Sequence, residues 1–577
     1  MCLRKLKIAI CAIACTLGLF ASASQFPLFQ RPLRAGSLEV HTADYLEPMI
    51  NIELPYIRSE LHSSKNLTVE QIIAAQKGSF ARLIHRDFPN NSVRIKRHPP
   101  RSEKAHLNDN EGDPEAFCDP TVTSWTGYID TVDGKSLFFF FFESRSSPDD
   151  DPIILWTNGG PGASGALGLF MELGPCRVPY PEIRSGPIID RTDYFKYSWN
   201  DRANMIFIEQ PAGEKKAGVG YSYRRFGPRV TTTDQGAVDI YHFLRIFFSA
   251  FERFHKNDFH LSGESYGGRY IPRFAAEVAD RNQKIHDKAR RTRTDVDQDS
   301  LINLKSIIVG NGLTDIYDQM LTDHAFACTR RGGYGTPKFD IKTCERIAFW
   351  TQRCARTVKE SCRDNFEFNS CATEVSACET NLGAEAWIQG GYNIYDISDD
   401  CKDGIEVLCY GVTANIARFL DSDDVRELIG AAPRSQIGNY SLVSNKVNAD
   451  FGRSGDTFID NKAYVAGLLD RGINALIYAG ELDAACHWLG NLEWVQNLDY
   501  AGKIDFKKSL RPWYVDGRKV GMKARGGGLS ESAALCSLFV TYLLTQSDSA
   551  CLALTPNRAL HGCCLISSIV FGCLLAT

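Results

Sequence analysis

Phe259-His260-Leu261-Ser262-Gly263-Glu264-Ser265-Tyr266-Gly267-Gly268 runs from a short apolar stretch into a G-x-S-x-G turn, and a helical pattern follows from Ile271. A strand that turns this sharply into a helix needs glycines on either side of the bend, and it leaves the serine hydroxyl standing above the strand end. Ser265 is therefore the candidate nucleophile. In a chain with 47 glycines the pentapeptide alone carries little weight; its place between strand and helix carries the reading.

Upstream, Ile153 to Trp156 has the same buried-strand texture and opens into Asn158-Gly159-Gly160-Pro161-Gly162. Glycines there let backbone N–H groups approach a reacting centre closely. The N–H of Gly160 together with that of Tyr266 would form an oxyanion hole, at roughly 3 kcal/mol per donor. Ser136 to Phe142, Ile206 to Ile208, Ile307 to Val309 and Ala475 to Tyr478 are further buried-strand candidates, with helical stretches such as Ala237 to Phe251 between them. Strands alternating with helices predict an α/β core around a mostly parallel central sheet. From about Cys328 to Cys409 the alternation stops and the chain becomes polar and cysteine-rich, which predicts an inserted cap beside the strand ends where such sheets bind ligands.

With 577 residues, 44% hydrophobic, the chain is long enough for a large core or two smaller ones. Its formal net charge is -4, and its 65 basic residues are scattered, so nucleic acid is not an expected partner. Arg4, Lys5 and Lys7, the apolar run Ile8 to Phe20 and the small residues Ala21-Ser22-Ala23-Ser24 form the three regions of a secretory signal peptide over 1–24. The apolar run is too short for a stable membrane span. Residues 25–97 are polar and end in Lys96-Arg97 before Pro99-Pro100; they read as a propeptide removed at a basic site, with an N-terminal subdomain as the alternative. Asn66, Asn90 and Asn439 head N-glycosylation sequons.

Entry into the secretory pathway makes disulfides the expected state of Cys328, Cys344, Cys354, Cys362, Cys371, Cys378, Cys401 and Cys409. No C-x-x-C pair occurs among them and His324 is the only imidazole nearby, so a zinc site is disfavoured and no metal or organic cofactor is expected.

Trp125-Thr126-Gly127-Tyr128, Phe142-Glu143-Ser144-Arg145, Asn158 to Gly162, Glu172-Leu173-Gly174-Pro175, Tyr197-Ser198-Trp199-Asn200, Gly263 to Tyr270 and Asn311-Gly312-Leu313-Thr314-Asp315 occur in that order. With Tyr478-Ala479-Gly480, Asp483 and Trp488-Leu489-Gly490-Asn491, they resemble the serine carboxypeptidases over roughly Cys118 to Gly521. The resemblance implies an α/β-hydrolase fold, with core segments at 98–327 and 410–521 around a cap at 328–409. It also implies a secreted or vacuolar enzyme that removes C-terminal residues from peptides through an acyl-enzyme on Ser265. Asp483 would orient the catalytic histidine, and Asn158, Glu172 and Glu264 would bind the substrate's free carboxylate. A carboxyl facing a carboxylate donates a hydrogen bond only when protonated, which predicts an acidic optimum. The cap spacings fit the pairs Cys328 with Cys344, Cys354 with Cys378, Cys362 with Cys371 and Cys401 with Cys409, although spacing does not prove connectivity.

Three departures from the family stand out. Ala163 replaces a cysteine that usually follows the oxyanion glycines, and no cysteine lies between Cys409 and Cys486 to serve as its partner. Glu214-Lys215-Lys216-Ala217 lengthens a turn, at little expected cost to the fold. Most severely, the last family strand and its Gly-His-Met-Val-Pro loop are not recognisable after Gly521. No histidine lies between His487 and His561, and neither of these has the expected setting, so the catalytic histidine is unassigned and 522–577 reads as an atypical tail. A retained intron or shifted frame would explain the tail within an ordinary carboxypeptidase; a genuine tail would make a non-catalytic protein that binds peptide C-termini. A GPI-type signal near Ser549 also fits the spacing, and an acyltransferase is a further alternative on the same fold.

Overall fold

The computed structural model describes residues 81–84, 92–101 and 116–534, apart from 184, 187, 215–217, 333–334 and 516–517. The expected signal peptide, most of the propeptide, Asn66, Asn90, His561 and the tail from 535 lie outside the described residues, as does most of the lengthened turn at 214–217.

Five consecutive phenylalanines, Phe138 to Phe142, decide the middle of the molecule. In a strand they alternate between faces, and all five are completely buried, so both faces of this strand must be covered. Phe139 meets Phe243, and Phe141 meets Phe247, edge-on at 5.4 and 5.1 Å, on a helix (α1, Thr233–Ala250) that lies across one face. Phe140 meets Phe170 at 6.3 Å on the other.

The main sheet contains β1 (Ala81–Ile84), β2 (Ser92–His98), β3 (Ser124–Asp130), β4 (Lys135–Phe142), β5 (Ile153–Thr157), β6 (Asn204–Ile208), β7 (Phe259–Ser265), β8 (Leu304–Gly312), β9 (Asn474–Gly480), β10 (Arg511–Val515), β11 (Arg518–Gly526) and β12 (Leu529–Ala534). Their spatial order is β1-β2-β3-β4-β6-β5-β7-β8-β9-β12-β11-β10. The six strands from β6 to β12 along this path are mutually parallel, and antiparallel ribbons extend the sheet at both ends. This is the α/β-hydrolase arrangement, with its parallel centre covered by helices on both faces. The order reverses around β5 and β7, so the carboxyl ends of these neighbours open onto one crevice.

Between α2 (Gly267–Thr292), which follows the nucleophile turn, and β9 lies the cap. It is helical where the sequence shows only polarity: α3 (Ile316–Cys328) leads into it, and Ile341–Val358 and Phe368–Asn381 form its body. Bonds join Cys328 to Cys344, Cys354 to Cys378, Cys362 to Cys371 and Cys401 to Cys409, the same pairs that the family spacing implies. A fifth bond joins Cys118 to Cys176, outside the cap, where no spacing implies it.

Two expected boundaries fall within paired strands, and the second needs correction. Lys96-Arg97 lies inside β2, where Lys96 is opposite Thr126 and Arg97 opposite Trp125, so a propeptide cut after Arg97 would sever a paired strand. At the other end the sheet does not stop at Gly521. β11 continues to Gly526, and β12 pairs in parallel with β9 over its whole length, so the first part of the supposed tail, 522–534, belongs to the core.

Candidate active site

Ser265 occupies the last position of β7 with φ 55°, a left-handed conformation that a non-glycine residue adopts only when its surroundings hold it there. Its carbonyl accepts a hydrogen bond from Leu313 N at 2.7 Å, which pins the turn to the end of β8. Tyr266 is the N-cap residue of α2, so its N–H stays outside that helix's hydrogen-bond ladder and can serve the crevice.

The glycine loop after β5 packs directly on this turn. A Cβ on Gly159 would lie 2.3 Å from Tyr266 N and 2.9 Å from Ser265 Cβ, so no other residue fits. Gly160 has φ 105°, which again only glycine adopts without strain. The two sequence motifs thus form one backbone cradle beside the serine.

Under the cradle, Asn158 is completely buried, and its orientation is settled by its neighbours. Its Oδ1 accepts from Trp156 Nε1 and Gly168 N, both at 2.9 Å, so Nδ2 must face the other way. There it donates to Glu172 Oε1 at 2.9 Å and Glu264 Oε1 at 2.6 Å. Burial, and then the adjacent Glu264, push Glu172 well above the ordinary carboxyl range, against the pull of Asn158 and Arg177. Burial pushes Glu264 up to about 7, with Asn158 opposing. Glu264 Oε2 is buried with no hydrogen-bond partner, as a group awaiting a ligand would be. Behind Glu172 the buried Arg177 guanidinium donates to the carbonyls of Glu172, Gly174 and Cys176 and lies 3.6 Å from the Phe195 ring centre.

Asp483 follows β9 by three residues and is nearly fully buried. Its Oδ1 accepts from Cys486 N at 2.6 Å. Burial pushes this carboxyl well above its usual range; the N–H groups of Cys486 and Ala485 oppose the rise, and the Glu264 and Asp396 carboxyls add to it. The cap touches this loop through backbone: Ile397 N donates to Leu482 O, and Ala484 N and Ala485 N donate to Ile394 O.

His487 is not placed to act as a base. It caps the helix Trp488–Asn497, its Nδ1 accepting from Gly490 N at 3.1 Å, while Nε2 pairs with Asp323 Oδ1 at 3.0 Å. Its ring stacks on Phe326 with centroids 4.5 Å apart. Both nitrogens are committed to structure.

Ala163 stands in an isolated antiparallel bridge with Val443, flanked by Ser164 N to Leu442 O and Ser444 N to Gly162 O, both at 2.8 Å. An aliphatic pair therefore stands here. Next to it is a cluster that sequence reading missed: Glu209, whose carboxylate accepts from Ser164 Oγ, Tyr440 Oη and Tyr221 N at 2.9, 2.7 and 2.5 Å. Burial pushes Glu209 up to about 7, with Tyr221, Tyr440, Ser164 and Arg426 pulling it down. The only signal in the sequence is an acid at the end of an apolar run.

A serine at a strained strand end, a glycine cradle over it and an acid past a later parallel strand define a serine hydrolase site. The serine carboxypeptidase family model matches residues 114–536, and the chain belongs to that family. The match runs past Gly521 and takes in all of β12, in line with the corrected end of the core.

The vacuolar serine-type carboxypeptidase ATG42 of Saccharomyces cerevisiae is 37% identical over 403 residues, 70% of this chain and 72% of that protein. Carboxypeptidase Y homolog A of Fusarium vanettenii is 34% identical over 433 residues, 74% of this chain and 73% of its own. Among solved structures, the prohormone-processing carboxypeptidase Kex1 of Saccharomyces cerevisiae shares the fold with a TM-score of 0.59 at 20% identity, covering 83% of this chain and 91% of that one. Among the described residues no helix is long and apolar enough to cross a membrane, and no cluster of side chains suits a metal ion.

Proposed function

We propose that this serine carboxypeptidase takes peptides and proteins by their C-termini and releases the last residue through an acyl-enzyme on Ser265. The observation that carries the reading is the bridging of Glu172 and Glu264 by Asn158 immediately beside the nucleophile. Three polar side chains buried together at that place suit a substrate end that is itself charged. A protonated Glu264 donates to the terminal carboxylate while Asn158 holds the two glutamates together, and the scissile carbonyl then lies over Ser265 with its oxygen toward the N–H groups of Gly160 and Tyr266. Ser265 Oγ attacks, its proton passes to a base oriented by Asp483 and on to the leaving amino acid, and water cleaves the ester. His487 is engaged elsewhere, and the base is unassigned.

The raised pKa values of Glu172 and Glu264, which keep them protonated in mild acid, make an acidic compartment the natural setting, which accords with a vacuolar or secreted enzyme. Residues 25–97 remain the proposed propeptide, and its last stretch, Ser92–Arg97, pairs with β3 in the full chain. Asn439, the sequon within the described residues, is exposed and open to glycosylation.

The test is hydrolysis of an N-acyl dipeptide with a free C-terminus against the same dipeptide amide between pH 4.5 and 7.5. The free acid should be cleaved at least about a hundredfold faster at pH 5, and the advantage should shrink toward pH 7.5. Equal cleavage of acid and amide across the range would contradict the carboxylate role.

A further inference from the structure

Between the helix Asn445–Ser454 and β9, the segment 456–461 buries its two ends, Asp456 and Asn461, against Tyr266 and the first turns of α2, while Ile459 between them is exposed. Asp456 has no exposed surface, yet its carboxylate is shared by three elements. Oδ1 accepts from Thr233 N at 2.8 Å at the start of α1 and from Arg273 Nη1 at 3.0 Å in α2. Oδ2 accepts from Thr233 Oγ1 at 2.6 Å and from Tyr266 Oη at 2.8 Å. The same segment holds the first turns of α2: Arg269 donates to the carbonyls of Asp456 and Ile459, Arg273 Nε donates to Asn461 Oδ1 at 2.8 Å, and Asn461 Nδ2 donates to the carbonyls of Gly268 and Arg269.

Tyr266 is the one member of this network that also belongs to the proposed oxyanion hole. Its ring packs against Tyr270 and Phe451 at 5.2 and 6.1 Å, and its hydroxyl bonds to Asp456 Oδ2 and lies 3.2 Å from Thr457 Oγ1, so packing and hydrogen bonds hold the side chain together. Its backbone N abuts Gly159 closely enough that a methyl group there would overlap it. A donor has to be aimed at an oxyanion within a few tenths of an ångström, and only a rigid support does this without reorganisation during the reaction.

We propose that Asp456 is a positioning residue for catalysis: through the Tyr266 hydroxyl it fixes the backbone N–H that stabilises the tetrahedral intermediate. This rests on the oxyanion role of Tyr266 given above. Burial opposes ionisation of Asp456, but Arg269, Arg273 and the Thr233 donors outweigh it and hold the carboxyl below its usual range. The anchor therefore stays charged in the same acidic range where Glu172 and Glu264 take up protons.

The experiment uses the full chain and three variants, Y266F, D456N and T233V. It measures the rate of Ser265 labelling by a fluorophosphonate, the affinity for an N-acyl amino acid as product analogue, and the melting temperature. Y266F removes the hydroxyl that links anchor to turn, and with it the 3.2 Å contact to Thr457 Oγ1. It should label at least about tenfold more slowly, with product affinity within about twofold of wild type, because the carboxylate site is untouched. D456N should slow labelling at least as much. T233V strips a different partner from Asp456, and it should lower the melting temperature while leaving labelling near the wild-type rate. Y266F labelling at the wild-type rate beside a reactive wild type overturns the proposal alone. A wild type that never labels removes the nucleophile reading and this one with it.

Discussion

At the ends of β5 and β7 the buried backbone and amide groups have partners: Asn158 uses both ends of its amide, Ser265 is pinned by Leu313, and the Gly159 backbone fills the space against Tyr266, although Glu264 Oε2 has no partner. Just after β9 and within β12 the same degree of burial acts on carboxyls with less to offset it. Asp483 has backbone donors but no imidazole among the described residues, and Glu531, in the middle of β12 opposite Ile477 and Ala524, is pushed up to about 8 by burial alone. On the reading proposed above, the described residues themselves hold Ser265 and the Asn158 cluster, the nucleophile half of the site, in place. In the other half Asp483 lacks a cationic partner among the described residues, and a buried aspartate stays ionised only beside a cation or enough donors.

The largest effect is expected from Glu531. Its folded acidity of about 8 lies above the unfolded carboxyl range near 4.5, so the folded state holds a proton that the unfolded state gives up. Stability from this group is complete below about pH 4.5 and is lost as pH rises through 8. E531L should therefore raise unfolding stability by about 3 kcal/mol at pH 7, and by much less at pH 4, from urea midpoints at the two pH values. Equal gains at both would show that the carboxyl is not buried, and would dissolve the contrast between the halves.

Ala163 and Val443 offer the converse test on the well-built half. They form a non-hydrogen-bonded antiparallel pair, the geometry in which side chains come closest. A163C with V443C should form a disulfide on its own and add about 2–3 kcal/mol. Two free thiols after oxidation would mean that the oxyanion loop is not where the bridge puts it.

The smallest effect concerns pH. Wild type should bind an N-acyl amino acid about tenfold more tightly at pH 5 than at pH 7.5, because Glu264 changes from donor to repelling charge as it titrates near 7. E264Q should flatten that profile. A slope kept in E264Q would shift the titration to Glu172.

Much of the first half is legible in the sequence. The G-x-S-x-G turn and the glycine loop carry their own stereochemistry, and runs such as Phe138 to Phe142 leave no choice but a strand covered on both faces. Boundaries are less legible for physical reasons. Lys96 and Arg97 look like a processing site, but in β2 they pair with β3, and the Arg97 guanidinium lies over the Trp125 ring at 6.0 Å; that is a tertiary contact no dipeptide reveals. Leu529 to Ala534 is short, contains an acid and has little β-branching, so nothing local marks it as a strand; its pairing with β9 does. Cys118 and Cys176, 58 residues apart and outside the cap, have no spacing pattern to announce their bond.

The measurement that bears most directly on the central claim is fluorophosphonate labelling of Ser265 in the protein from its native source, read with mass spectrometry of its C-terminal peptides. A complete nucleophile half in an active carboxypeptidase predicts a labelled Ser265 and a C-terminal peptide that carries a histidine soon after β12, in place of the sequence 535–577. An unlabelled Ser265 in a protein that ends in 535–577 would contradict it, and would leave a protein that binds peptide C-termini without cutting them.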